Sequence, residues 1–493
     1  MTIQGALASA LSSLNLEQQQ AQVIANNIAN ANTPGYVQRD IPRAENIAGQ
    51  NGTGVLAEPI VRLSNQLLTD AANQASGSAA YSNQIVAILG QYIQTVGQPS
   101  DSTSLPSTVS AFQTDLTNLS SAPDDTTAQT QTITAAQNLT DTIHTLASAV
   151  SSARQQADQA IGTDAQSVND ALDQLATNEA ALKNATTRGD STAAYADTRD
   201  KLLSQLSQKL PIKVFQDSNN GIIVTTDQGT TLWDGTEHKL SFTATSDIPN
   251  NLISNPTAAQ TADGYLSGLS GVTVDGRPIA MSQTGSIAAN LQLRDVTLPQ
   301  FARQLDELSA NLINTFQSND QTFSTSATPH GVFSIADGST TGAALTGTTP
   351  IGGIASKIQV NGNVIATPTL LRDGANAAIP GNASDNSTIL AFLNGMQSGQ
   401  SYTTATGLPG SMSLGDAASQ IAGTQQATLS TWTDRNTTRA QQSADAQTSL
   451  QGATGVNVDQ QLQRLILVQQ TYQASAQVLQ AVSKMLDTLN TIK

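Results

Sequence analysis

Two heptad seams at opposite ends of the chain constrain the fold more than any other feature. Near the N-terminus Leu7, Leu11, Leu14, Gln18, Ala21, Ala25 and Ile28 step by 4, 3, 4, 3, 4 and 3, which keeps them on one face of a helix. Near the C-terminus Leu465, Val468, Tyr472, Ser475, Leu479, Val482, Leu486 and Leu489 step alternately by 3 and 4. The opposite face of that second helix carries Gln469, Gln470, Gln473, Gln477 and Gln480, with few charges to select a partner by ion pairing. The first helix alone is marginal in water. The simplest packing pairs the two as an antiparallel or staggered coiled coil. About 26 helical residues span ~39 Å and about 35 span ~52 Å. The C-terminal helix therefore outruns its partner, and its remaining apolar face needs another surface, such as a second subunit.

Helical periodicity continues between the seams. One stripe is Leu105, Val109, Phe112, Leu116 and Leu119, and a second is Leu139, Ile143, Leu146 and Val150. A third runs Ile161, Ala165, Val168, Leu172, Leu175 and Leu182, and a fourth Leu298, Phe301, Leu305, Leu308, Leu312 and Phe316. Leu414, Ala418 and Ile421 open a fifth. Two stretches differ. From Pro211 to about Gln292 the period falls to 2, with hairpin signals at Lys213–Val214–Phe215, Asn219–Asn220–Gly221, Ile222–Ile223–Val224 and again at Val272–Arg277. From Thr322 to about Gly410 the chain is rich in Gly, Ser, Thr and Asn, and Val360–Asn361–Gly362–Asn363–Val364 reads as a further hairpin. The expected fold is mainly α with β-rich insertions that decorate the surface. Terminal helices pair as a coiled coil beside a long helical rod and one or two small β domains. The expected division is a terminal assembly domain (1–45 with 456–493), a helical rod (46–210 with 293–321 and 411–455), a β-rich domain (211–292) and a variable β-rich insertion (322–410).

Composition removes several functions. Charged residues make up 12% of the 493, against about 25% in a typical soluble protein. The net charge of −16 repels phosphate backbones, so nucleic acid is not an expected partner. With no Cys there is no disulfide framework or thiolate metal site. No apolar run reaches 18 residues, so no membrane insertion is expected. The first basic residue is Arg39, which leaves no basic n-region for a cleaved signal.

A search for chemistry finds little. His144, His238 and His330 are far apart, and His144 reads as a packed or surface side chain beside Ile143 and Leu146. There is no H-E-x-x-H, no Gly-Lys pair and no G-x-S-x-G. Gly52 and Gly54 read as a loop, and Asp124–Asp125 after Pro123 as a helix cap. No catalytic, cofactor or metal site is expected.

Particular residues then carry a resemblance. Asn26–Asn27–Ile28–Ala29–Asn30–Ala31–Asn32–Thr33–Pro34–Gly35–Tyr36 resembles the N-terminal signature of bacterial flagellar rod, hook and hook-associated axial proteins. Its physics is legible: Ile28 closes the seam, the Asn residues offer caps and side-chain amides for bonds between subunits, and Pro34–Gly35 turns the chain out of the helix. Gly455–Val456–Asn457–Val458–Asp459 and Gln469–Leu479 resemble the C-terminal signature. Asp197–Thr198–Arg199–Asp200–Lys201–Leu202–Leu203, Gly285–Leu291 and the Leu298–Phe316 stripe are similar to internal passages of the hook-associated protein 1 branch of that family.

The resemblance implies a non-enzymatic ring of identical subunits at the hook–filament junction, needed for filament assembly. It implies the hook protein on one side, hook-associated protein 3 on the other, and an export chaperone on the C-terminal helix. It implies type III export to the extracellular flagellum without a cleaved signal. The assembly interface expected from seam and signature comprises Leu7, Leu11, Leu14, Asn26, Asn27, Ile28, Asn30, Pro34, Gly35, Tyr36, Leu465, Val468, Tyr472, Leu479, Val482, Leu486 and Leu489. The alternatives are another axial component, such as hook-associated protein 3 or the hook protein, and a secreted hydrolase of an envelope polymer, which needs converging acids in a cleft.

Overall fold

The computed structural model describes residues 3–48, 51–216, 221–249, 251–253 and 266–491. Its helices in chain order are α1 (Ile3–Ala29), α2 (Gln66–Val96), α3 (Leu105–Ser121), α4 (Thr126–Arg188), α5 (Ala193–Lys209) and α6 (Ser286–Gln292). They continue with α7 (Leu298–Ser318), α8 (Gly362–Ala366), α9 (Leu370–Asp373), α10 (Ser387–Gln397), α11 (Leu414–Thr454) and α12 (Val458–Thr491). Local chemistry sets several starts. Asn65, Ser104, Asp125 and Ser413 each accept a backbone N–H in the first turn of the helix that follows. The second and third stripes are not separate helices. Both lie on α4, 63 residues long, which spans about 95 Å before Gly189 ends it.

Two apolar clusters form along α4. The larger joins its N-terminal half to α2, α3, α7, α10 and the first part of α11. Phe112, Phe316, Phe333 and Phe392, all fully buried, stack at its centre with ring centroids 4.6 to 5.6 Å apart. The smaller cluster joins Ile161, Val168, Leu172 and Leu175 of α4 to α5 and to two small three-stranded sheets, one holding Val224 and Leu232 and the other Val274. α2 and α11 run antiparallel, since Ser76 meets Ser443, Ser82 meets Asn436 and Tyr92 meets Gln425. Hydroxyl and amide contacts hold much of that seam. These helices and their small sheets form the shaft of the molecule.

Between the two clusters lies a buried ionic group. Arg294 Nη1 donates to Asp158 Oδ1 at 2.6 Å, with both side chains almost wholly excluded from solvent. The other Asp158 oxygen accepts the Thr245 N–H at 2.6 Å. Arg294 also forks onto Asp295 (2.7 and 2.9 Å) and reaches the Ser270 carbonyl. Arg154 Nε donates to the Arg294 carbonyl. Arg294 enters the interior on a single π turn, Leu293–Thr297, between α6 and α7. Just before it, Gly285 has φ +84°, and a Cβ there would meet the Lys209 and Leu210 backbone at 2.5 to 2.7 Å. That close approach gives a physical reason for glycine at this point.

The strand regions differ from the sequence reading in several places. Ile212–Gln216 and Ile222–Thr226 do pair antiparallel, while the Asn219–Asn220 turn lies outside the described residues. Thr273–Val274 and Arg277–Pro278 pair around Asp275–Gly276. Gly52 and Gly54, however, belong to a strand, Asn51–Ala57, paired with Arg43–Ala48. At Gly54 a side chain would run into Ser12 of α1, so glycine lets the hairpin lie against the helix. Val360–Asn361–Gly362–Asn363–Val364 is not a hairpin. The Asn361 side chain accepts the Asn363 N–H at 2.9 Å and caps α8 instead, and Ile358–Val360 pairs with Phe333–Ile335.

Nor is 322–410 a β-rich surface decoration. It carries α8, α9 and α10 and only short ladders. Phe333, Ile358, Val364, Leu371 and Phe392 lie in the larger core cluster. Buried acids of α7 bind its backbone, with Asp306 accepting from Gly353 and Ala355 and Glu307 from Thr403. Gly and Asn content signals turns, and it does not report the apolar side chains spaced between them.

Candidate assembly interface

α1 and α12 pack side by side. Asn27 Nδ2 donates to Gln461 Oε1 at 3.1 Å, and the Ser13 and Ser475 hydroxyls meet at 3.0 Å, so the helices are antiparallel. Opposed residue numbers sum to 488 at both points, so α1 covers α12 to about residue 485 and the last turn overhangs. Val468 and Val482 are buried in the seam, and Leu465, Ser475 and Leu479 are half-buried. Tyr472 and Leu486, on the same stripe, are 39% and 36% exposed. The Leu489 side chain lies outside the described residues.

The inner face of α1 is not the one its Leu spacing suggests. Ala10, Leu16, Val23, Ile24 and Asn27 are buried, whereas Leu11, Gln18 and Ala25 are exposed and Leu7, Leu14, Ala21 and Ile28 half-buried. The cause is a second contact. The hairpin 43–57 lies along α1, and Leu16 and Val23 pack with Ile41, Val55, Ala57 and Ile60 in a small cluster of their own. A helix covered from two sides turns a different stripe inward from one in a simple two-helix seam.

Asn27 is a hydrogen-bond hub within the chain. Its Nδ2 also donates to the Arg39 carbonyl (2.8 Å), and its Oδ1 accepts from the Tyr36 hydroxyl (2.9 Å) and the Arg39 N–H (3.1 Å). Burial pushes the Tyr36 phenol above its ordinary pKa, with the Asp197 charge adding to the effect. Asn26, Pro34 and Gly35 are exposed, and the half-buried Asn30 bonds the Asn26 carbonyl. Asn27→Ala removes four bonds and leaves the buried Gln461 Oε1 and the Arg39 backbone without these partners. It is expected to cost the terminal pair about 1–3 kcal/mol, read as roughly 5- to 150-fold faster amide exchange over residues 16–29.

Two further features escaped the sequence reading. α12 carries exposed apolar residues beside its seam: Leu462 and Ile466 on one flank, and Leu467, Val478 and Met485 about a quarter-turn away on the other. Arg39 and Arg62 bind acids of α5, Asp197 and Asp200, at 2.6 to 2.8 Å.

Among the described residues no catalytic set is gathered. His238 lies between Asp275 (2.7 Å) and Asp234 (3.5 Å) near a sheet turn, and the bond to Asp275 raises its pKa. His144 and His330 lie elsewhere. Asp125 caps α4. Among the described residues no three His, Asp or Glu side chains form a metal-holding group, and no helix is long and apolar enough to cross a membrane.

Comparison with known proteins matches the same regions. Residues 90–324 fit the family described as flagellar hook-associated protein FlgK helical domain. Residues 7–36 fit the flagella basal body rod protein family, and residues 450–492 the flagellar basal body rod FlgEFG protein C-terminal family. Flagellar hook-associated protein 1 of Bacillus subtilis (strain 168) is 24% identical over 521 residues, covering 98% of this chain and 96% of its own. The protein of that name in Escherichia coli (strain K12) is 25% identical over 320 residues, covering 63% of this chain and 56% of its own. The structure of the flagellar hook junction protein FlgK from Burkholderia pseudomallei aligns with 54% of this chain and 47% of its own length, at 18% identity and a TM-score of 0.44. The rod-type matches fall on the paired terminal helices and the hook-associated helical-domain match lies between them, so along its whole length this chain is similar to flagellar hook-associated protein 1.

Proposed function

We propose that the chain forms a ring of identical subunits at the junction between flagellar hook and filament, without catalytic activity, and that filament assembly depends on it. One observation carries this reading: α12 is covered by α1 along its seam yet presents Leu462, Ile466, Leu467, Val478 and Met485 to solvent on both flanks. Neighbouring copies of the α1–α12 pair are the natural cover for such flanks. Charge agrees. In residues 1–65 and 456–493, Arg39, Arg43, Arg62, Arg464, Lys484 and Lys493 balance Glu17, Asp40, Glu45, Glu58, Asp459 and Asp487. The full −16 therefore sits on the remaining residues, so terminal pairs pack without net repulsion while the shafts repel one another. The hook protein would meet one side of the ring and hook-associated protein 3 the other. An export chaperone would shield α12 before the chain leaves for the extracellular flagellum.

The test is chromosomal deletion of residues 459–493 in the source bacterium. Lost swimming, hooks without filaments, and filament protein in the medium are the expected result. Normal filaments and swimming would overturn the reading.

A further inference from the structure

The signature Asp197–Thr198–Arg199–Asp200 takes no part in the α1–α12 seam, yet it meets the terminal module at an ionic joint. Arg39 and Arg62 are direct Cα partners in a two-residue antiparallel ladder, Arg39–Asp40 with Val61–Arg62. Like charges opposite one another across a ladder repel. Asp197 relieves this, with Oδ2 2.8 Å from Arg39 Nη2 and Oδ1 2.8 Å from Arg62 Nε. The second contact is an ion pair without hydrogen-bond geometry. Asp200 Oδ2 takes Arg62 Nη2 at 2.6 Å. The Arg39 guanidinium also lies 4.8 Å from the centre of the Tyr36 ring. Both arginines and Asp197 are only 11 to 20% exposed, so the pairs are partly shielded from salt.

Among the described residues no apolar cluster bridges this joint. The core cluster of the terminal module, built on Leu16, Val23 and Ile41, is separate from both shaft clusters. Beside the ion pairs, the backbone bonds Gln38 N–H to Thr454 carbonyl and Leu63 N–H to Gln38 carbonyl hold the crossing strands, both at 2.9 Å. A packed core fixes one arrangement through many contacts, whereas four charged side chains fix it through few.

We propose that Arg39, Arg62, Asp197 and Asp200 are a positioning clamp that sets the angle between the terminal helix pair and the shaft, and that opening it frees that angle. Losing Asp197 leaves the two facing guanidiniums repelling one another, with the Asp200–Arg62 pair as the remaining ionic contact. A subunit seated between two different lattices would use such an adjustable angle. That use rests on the junction reading, but the clamp itself does not.

The chain has no Cys, so Gln473→Cys on α12 and Asn184→Cys on α4, both exposed, accept spin labels without background. Pulsed electron–electron resonance on the full chain then gives the distance distribution between terminal pair and shaft. The parent should show one narrow distribution. Asp197→Asn, a neutral isostere, should at least double its width, and Asp197→Glu should keep the parent width. An unchanged width in Asp197→Asn, with helix content retained by circular dichroism, overturns the proposal. Should that variant lose helix content, the parent measured from 50 mM to about 1 M salt decides: broadening supports the clamp and a constant width refutes it. The measurement uses isolated protein, so its failure is distinct from failure of the junction reading, which is scored on filaments.

Discussion

Asp158→Ala is expected to lower the stability of the shaft by about 3–5 kcal/mol, because it breaks a buried pair by removing one partner. Asp158 is the acid that faces Arg294 across the gap between the two apolar clusters, and its second oxygen holds the Thr245 N–H. Its loss leaves a guanidinium with one acid instead of two, in a position only 1% exposed. Water cannot replace the lost oxygen without opening the packing around Arg154 and the π turn. Asp158→Asn keeps the shape and a hydrogen-bonding oxygen while removing the charge, so it should fall between parent and alanine. Denaturant unfolding followed by circular dichroism reads both. An alanine variant within about 1 kcal/mol of the parent would show that the group adds little to stability.

The largest functional effect should come from Val468→Asp. Val468 is 6% exposed in the seam and lines the same small cavity as Val23 and Ile24 of α1. An ionised carboxylate there, with no partner provided, costs several kcal/mol, which the weak α1 helix cannot offset. The expected outcome is near-complete loss of swimming with filament protein shed into the medium, while the melting of the shaft stays within a degree or two of the parent. Leu467→Asp separates pairing from assembly. Leu467 is already 58% exposed in the single chain, so the helix pair should survive and only the contact with a neighbour should fail. Gln470→Asp, exposed on the outer face, is the control expected to swim normally. Normal motility in both Val468→Asp and Leu467→Asp would remove α12 from the assembly surface.

What the sequence disclosed follows from which forces have a period. Val468 and Val482 could be placed in the seam because β-branched and Leu side chains recur there every 3 or 4 residues with glutamine opposite. α1 misled because Leu7, Leu11 and Leu14 compete with Leu16, Val23 and Ile24. Periodicity cannot say which stripe turns inward when a hairpin covers a second side. The Asp158–Arg294 group and the Arg39–Asp197 clamp were invisible, because single charges more than 130 residues apart leave no pattern. Asn361 next to Gly362 signals a turn, yet the same side chain caps a helix equally well. The Asp197–Asp200 signature was visible only as a resemblance until the arginines it binds were in view.

The uninterrupted course of α4 has a mechanical meaning. A rod resists bending best where a strut passes through it without a joint, and α4 runs 63 residues through both apolar clusters with no proline or kink-forming break. Strain applied at one end of the shaft is then carried to the other rather than absorbed between the clusters. Compliance is left to the place where α4 does not reach, the narrow crossing of residues 36–40, 61–63 and 454–458. Under torque the molecule should behave as a stiff lever that gives first at this crossing.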